Sequence, residues 1–388
     1  MLSSAQMAAR PEDVGVDSER LEALFARAKR DVDQGVLPSA QVAVARLGKV
    51  AGVRTFGSAA QGGAEQPATG KTLYCIFSAT KAIVAAAIWV LFEEGLLKLE
   101  ERVADIIPEF GSNGKHVVTV EQVLTHTAGF PLAPYDPDGW GDRSKLLEAF
   151  ARWRLDWEPG TRFEYHAMSA HWVLAEIILR RSGLEYRTFM RERVTGPMGL
   201  GELFLGLPDG YDARVADVGY VSEPEPPPGG WGAVTPDAIL AFNEPRLRRI
   251  GVPAAGGIGG AAELALFYQP LLNGGITHSG TRILKAETIE FATKVRTKDF
   301  HRDPILGMRA NRAAGIIVAG DDGDAHLRGF GRTASPWAFG HDGAGGQLGW
   351  GDPETGISVG YCTNGFVDFL THCRRTTAIS SLAAVCAG

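Results

Sequence analysis

Residues 80–94 constrain the fold more than any other stretch. From Ala82 to Phe92 every side chain is apolar, and Gly95 supplies a stop just beyond. A helix apolar on all sides has no face to offer water, so it must run through the middle of a domain. The run is far short of the about 20 residues that a membrane span requires. A chain of 388 residues, 45% hydrophobic and 22% charged, is long and apolar enough to enclose such a helix in a globular core. Near its start stands Lys81. Lysine is rarely buried without a partner, so this position asks for an explanation.

The flanking patterns differ at the ends and in the middle. Residues 17–34 predict an amphipathic helix, with Leu21, Leu24, Phe25, Ala28 and Val32 on one face and Gly35 as its stop. Residues 41–47 and 50–57 predict a hairpin around Gly48-Lys49, and their imperfect alternation fits strands covered on both faces. Short helical patterns follow through residues 100–193, the best at 170–181. The stretch 221–260 is dense in proline and glycine and reads as a long surface excursion. After a helix at 262–272, residues 314–319, 337–340, 346–350 and 357–363 predict strands, and 366–385 a closing helix. Strand-rich ends around a helical middle predict an α+β fold. One α/β domain would come from both ends (1–85 and 295–388), with a mainly helical domain (86–294) containing the excursion.

Composition excludes several classes. The net charge of −6, from 39 basic and 45 acidic residues, argues against nucleic acid as a partner. Residues 1–10 lack an apolar stretch, so no signal peptide is expected, and a cytoplasmic protein with reduced thiols is the expectation. Cys75, Cys362, Cys373 and Cys386 show no metal-ligand spacing, and no carboxylate is spaced to complete a zinc site with His166 and His171. The G-x-G-x-x-A match at 257–262 lacks the preceding strand a dinucleotide site needs. Glycine is in excess, 49 of 388 residues against a usual ~7%.

Three segments could carry chemistry. Ser78-Ala79-Thr80-Lys81 sits where a strand-like segment enters the buried helix, which places the lysine one turn after the serine on the same face. The Ser78 N–H lies at the positive end of that helix, and burial pushes Lys81 toward its neutral form. Tyr165 falls at the entrance of the 170–181 helix, where a nearby cation would lower its pKa. His341-Asp342-Gly343 opens a stretch in which six of the residues 340–351 are glycine. Glycine there is read as clearance for a ligand along a strand edge. The G-x-S-x-G elbow of another hydrolase fold is absent.

Taken in this order and spacing, the three segments resemble the serine β-lactamase and penicillin-binding-protein superfamily. Class C β-lactamases and family VIII carboxylesterases are the nearest groups. Ser78-Ala79-Thr80-Lys81 stands for S-x-x-K, Tyr165-His166-Ala167 for Y-x-N, and His341-Asp342-Gly343 for the K-T-G or H-x-G strand. Leu124-Thr125-His126-Thr127-Ala128-Gly129 and Trp157-Glu158-Pro159-Gly160 are supporting landmarks, and the likeness spans roughly residues 12 to 370. The resemblance implies a β-lactamase/transpeptidase-like fold, an antiparallel sheet flanked by helices. It further implies Ser78 as nucleophile, with Lys81 and Tyr165 sharing the general-base role. The backbone N–H groups of Ser78 and Ala344 would form the oxyanion hole. No metal or organic cofactor is implied.

The departures bear on substrate. Ala167 replaces an amide-binding asparagine, and His341, a weaker and pH-dependent cation, replaces a lysine that would meet a β-lactam carboxylate; Asp342 adds negative charge beside it. Together with Gly343 and the aromatic Phe130, Tyr135, Trp140 and Trp231, these define the expected substrate-binding residues. They tilt the expectation toward a carboxylesterase acting on neutral, apolar small-molecule esters. An acyltransferase of the same fold, a β-lactamase or D-amino-acid peptidase, and an inert ligand-binding scaffold are the alternatives.

Overall fold

The two ends of the chain meet in one sheet. A computed structural model describes residues 2–61, 64–232 and 234–388. Helix α1 (Ser18–Asp33) starts at Asp17, whose carboxylate accepts the Arg20 N–H. It leads into strands β1 (Ser39–Arg46), β2 (Lys49–Gln61) and β3 (Ala64–Pro67). The short strand β4 (Tyr74–Cys75) precedes the apolar helix α2 (Thr80–Glu93). In the middle lie α3 (Ser169–Ser182), β5 (Phe204–Leu205), β6 (Gly257–Gly259) and α4 (Ala261–Leu272). The C-terminal part supplies β7 (Ile317–Val318), β8 (Phe339–Gly343), β9 (Gln347–Gly351), β10 (Ser358–Thr363) and α5 (Phe369–Ala384).

The main sheet runs β3-β2-β1-β10-β9-β8-β7, antiparallel throughout. Its N-terminal and C-terminal halves join where Ala40 to Ala45 of β1 face Thr363 to Ser358 of β10. On the outer face, Val42 and Val44 pack with Leu24 and Phe25 of α1 and Ile379 of α5. Each such fully buried side chain contributes about 1.5–3 kcal/mol. On the inner face, Ala43 and Ala45 belong to the core that holds α4 and α2.

Glycine is what lets α4 lie close. A Cβ at Gly360 would collide with the Ala261 carbonyl, and one at Gly349 or Gly351 would press on Leu264 or Leu272. Two of the six glycines in 340–351, Gly349 and Gly351, thus serve helix-on-sheet packing. Gly340 and Gly343 are confined as well, by Trp350 of β9 and by the Ile76 carbonyl, which corrects the expectation of a ligand along the whole strand edge. Helix α4 falls within the span 86–294, yet its partners are sheet strands.

Helix α2 is buried from Thr80 to Leu91, as its composition requires, and the Trp89 indole donates to the Ala314 carbonyl at 2.8 Å. No helix among the described residues is long and apolar enough to cross a membrane.

Three boundaries differ from the sequence-based expectation. The strand expected at 314–319 shrinks to β7, because Gly315 adopts a left-handed turn (φ 83°). The strand expected at 337–340 runs instead through His341-Asp342-Gly343. The 221–260 segment is not a surface excursion throughout. Ala233 lies outside the described residues, but from Pro236 onward the chain forms two short helices and β6, with Val252, Ala254 and Ile258 buried. Strand β6 sits between β4 and β5.

Candidate active site

The segment entering α2 is bent sharply. Phe77 has φ 43°, an unfavourable value for a bulky residue, and its ring is held by the edges of Phe242 (5.3 Å) and Phe366 (5.5 Å). The bend starts a 3₁₀ turn, Phe77–Ala79, that presents Ser78 half-buried at the floor of a cavity. One turn on, Lys81 Nζ donates to Ser78 Oγ at 3.0 Å and to the Ala254 carbonyl at 2.8 Å. Lys81 is fully buried. Burial first, and then the Arg312 guanidinium, push it well below the usual lysine range, toward the neutral amine.

Tyr165 closes the other side. Lys81 Nζ lies 5.0 Å and Arg312 Cζ 5.1 Å from its ring centroid, and the His126 ring packs at 4.8 Å. Burial pushes the phenol up, while Arg312 and the nearby Ser78 hydroxyl pull it down. Its buried oxygen makes no hydrogen bond of good geometry, an arrangement common before substrate binds. The turn carrying Tyr165 is fastened from behind. Glu164 N–H donates to the His126 carbonyl and His166 N–H to His126 Nδ1, while His166 accepts from the Phe130 N–H.

Strand β8 approaches the nucleophile turn so closely that a Cβ at Gly343 would collide with the Ile76 carbonyl. This contact brings Ala344 onto the wall of the cavity that Ser78 opens into. His341 is buried among Tyr165 and Arg312 instead of facing the cavity. Its Nδ1 bonds the Asp342 carbonyl at 2.7 Å and its Nε2 accepts from Arg312 Nη1 at 3.0 Å, so one tautomer satisfies both. Burial and Arg312 hold this imidazole neutral, which corrects the expectation of a pH-dependent cation at 341. Asp342 lies on the alternate phase of β8, beside Gly329.

The cavity encloses about 640 Å³. Ser78, Ala167 and Ala344 share its inner wall, and Tyr135, Trp140, Trp172 and Phe242 give it an aromatic lining. Phe130 is not part of that lining: it is buried behind it, stacked on Trp153 and edge-on to His166. Trp231 lines a neighbouring cavity of about 220 Å³ with Tyr220 and Phe366, and the two cavities meet at Ala344. Among the described residues, no group of His, Cys, Asp and Glu is arranged to hold a metal ion.

Arg312 and Ala254 are the site residues that sequence reasoning missed. Arg312 lies among small residues before β7, three after Arg309, and no motif marks it.

Residues 24–384 match the model of the Beta-lactamase family. The chain belongs to that family. Its beta-lactamase-family relatives include the esterase/beta-lactamase LipL of Mycobacterium tuberculosis (strain ATCC 25618 / H37Rv). LipL is 30% identical over 310 residues, covering 74% of this chain and 68% of the relative. A penicillin-binding protein homolog from Caulobacter crescentus superposes with a TM-score of 0.82 at 30% identity, over 95% of this chain and 98% of its own. A family VIII carboxylesterase superposes with a TM-score of 0.79 at 28% identity, over 94% and 98%. The protein is thus a hydrolase of the serine β-lactamase fold.

Proposed function

We propose that this protein is a serine carboxylesterase for neutral, apolar esters, with Ser78 carrying the acyl group. Ser78 Oγ bonds to the ester carbonyl carbon while its proton passes to the neutral Lys81 amine, 3.0 Å away. The N–H groups of Ser78 and Ala344 receive the oxyanion. The bond to the alcohol oxygen then breaks. Tyr165, kept protonated by its burial, supplies the proton that the leaving alkoxide takes, and Lys81 returns one to Tyr165. Water repeats the sequence on the acyl-enzyme and releases the acid.

The observation that carries the substrate reading is the lining of the large cavity. Among the described residues it holds no lysine, arginine or histidine, and its one ionisable carboxylate is Asp136. A β-lactam or peptide carboxylate would enter unpaired, and Arg312 is already committed to His341 and Tyr165. Leaving such a charge unpaired costs about 3 kcal/mol or more, roughly 10²-fold in rate. Assays with p-nitrophenyl esters and a chromogenic cephalosporin test this directly. Esters are expected to exceed the cephalosporin in kcat/KM by about 10²-fold or more; fast cephalosporin turnover with negligible ester turnover would refute the reading.

The same arrangement makes a pH prediction. Lys81 must be neutral to accept the Ser78 proton, so activity rises as pH climbs through its pKa. Arg312 holds that pKa down. In Arg312→Met the pKa rises, and the acid limb of the kcat/KM profile moves to higher pH. An unmoved acid limb in a folded Arg312→Met protein would show that Lys81 is not the titrating base.

A further inference from the structure

The turn that carries Ala344 is held by a buried arginine whose one hydrogen bond among the described residues goes to it. After β8 the chain makes the tight turn Ala344–Gly346, in which Gly345 (φ 77°) and Gly346 (φ 91°) are successively left-handed. Two such glycines leave the backbone free to choose many conformations, so something outside the turn has to select one. Arg375 of α5, 30 residues away, donates from Nη2 to the Gly345 carbonyl at 2.6 Å. The guanidinium lies so close that a Cβ at Gly346 would collide with it, and the Phe366 ring fills the space that a Cβ at Gly345 would need.

Arg375 is buried, and its Nε and Nη1 have no hydrogen-bond partner among the described residues. The Tyr361 hydroxyl and Asp31, the latter paired with Arg27 at 2.5 Å, lie near enough to favour its charge but do not hydrogen-bond it. Burying a guanidinium on so few bonds is costly, and packing alone would be served better by an apolar side chain. The one hydrogen bond it makes among the described residues is to the Gly345–Gly346 peptide, two peptide units after the one that carries the Ala344 N–H.

We propose that Arg375 is a positioning residue for the oxyanion hole. By gripping the Gly345 carbonyl it fixes the orientation of the Ala344–Gly346 turn, and so aims the Ala344 N–H at the oxygen that becomes negative in the transition state. Arg375 touches no substrate atom. This inference rests on the acyl-enzyme reading of Ser78 and Ala344.

The test uses the full chain with Arg375→Met and Arg375→Lys. It measures kcat and KM for a p-nitrophenyl ester, the inhibition constant of an alkylboronic acid, and the melting temperature. The boronic acid bonds Ser78 Oγ to boron and sets one boron-bound oxygen where the oxyanion would be. In Arg375→Met, kcat is expected to fall about 10- to 100-fold, less than the loss of a whole oxyanion donor. KM should stay within about twofold, because ground-state binding is untouched. The boronic acid should weaken by the same factor as kcat, and Arg375→Lys should recover part of both. A folded Arg375→Met protein with native kcat, or a kcat loss with unchanged boronic-acid affinity, would overturn the proposal. Where Arg375→Met does not fold, the same two readouts on Arg375→Lys decide. If Ser78→Ala hydrolyses the ester as fast as the native chain, the underlying acyl-enzyme reading fails regardless of Arg375.

Discussion

Ser78→Ala is expected to reduce ester kcat/KM by about 10⁴-fold or more, to the residual left by binding and the oxyanion donors. The variant removes one oxygen that accepts a hydrogen bond from Lys81 Nζ and lies near the Tyr165 phenol, on the wall of an open cavity. Ser78 is half-buried and already lines that cavity, so the loss of its oxygen is expected to enlarge it slightly and open no new enclosed void. The melting temperature should therefore stay near native while turnover vanishes. A variant that keeps more than about a tenth of native turnover would exclude Ser78 as nucleophile, since general acid–base loss alone is costlier than that.

Lys81→Met should lower kcat/KM by about 10²- to 10⁴-fold, the range associated with a positioned general base. Its effect on stability separates it from an ordinary core substitution. Methionine has similar length and no charge to desolvate, and it enters a helix whose neighbours are alanine, isoleucine and valine. Against that gain, the Ala254 carbonyl and Ser78 Oγ each lose a donor, worth about 1–3 kcal/mol for a buried group left unsatisfied. These contributions oppose each other, so a near-native or modestly lowered melting temperature is expected beside a large kinetic loss. Native activity in Lys81→Met would remove the lysine from the mechanism and leave Tyr165 as the base.

Much of the site could be read from the chain because its spacing is local. Ser78 and Lys81 are one helical turn apart, and helix geometry alone brings the ammonium to the hydroxyl. The apolar run of α2 likewise has only one place to go. Tyr165 and the β8 strand are far apart in sequence, and their meeting followed from the resemblance and not from periodicity. What could not be read depends on contacts through space. Arg312 reaches Tyr165 and His341 from a turn with no motif of its own, and its charge is what turns His341 from an expected cation into a neutral acceptor. Phe130 follows the same logic in reverse: an aromatic residue in a loop suggested a pocket wall, but its backbone and ring are tied to His166 behind that wall. Proline and glycine density at 221–260 signalled turns correctly, and exposure correctly for residues 221–232 but wrongly for 251–259, which are buried. Short turns can be buried when small residues such as Ala254, Ala255 and Gly257 let the chain press against α2 and Ile76. The glycine excess divides in the same way, with most of the 340–351 run taken up by close packing.

The central claim is a covalent acyl group on Ser78. Mixing the protein with an excess of a p-nitrophenyl ester, quenching in acid within the first turnover and weighing the intact chain measures it directly. The account predicts a mass increase equal to one acyl group, located by peptide mapping on the segment containing Ser78 and absent in Ser78→Ala, with a matching burst of p-nitrophenol wherever deacylation limits the rate. Ester turnover with the acyl group found on any other residue, or a Ser78→Ala chain that still acylates, would contradict it.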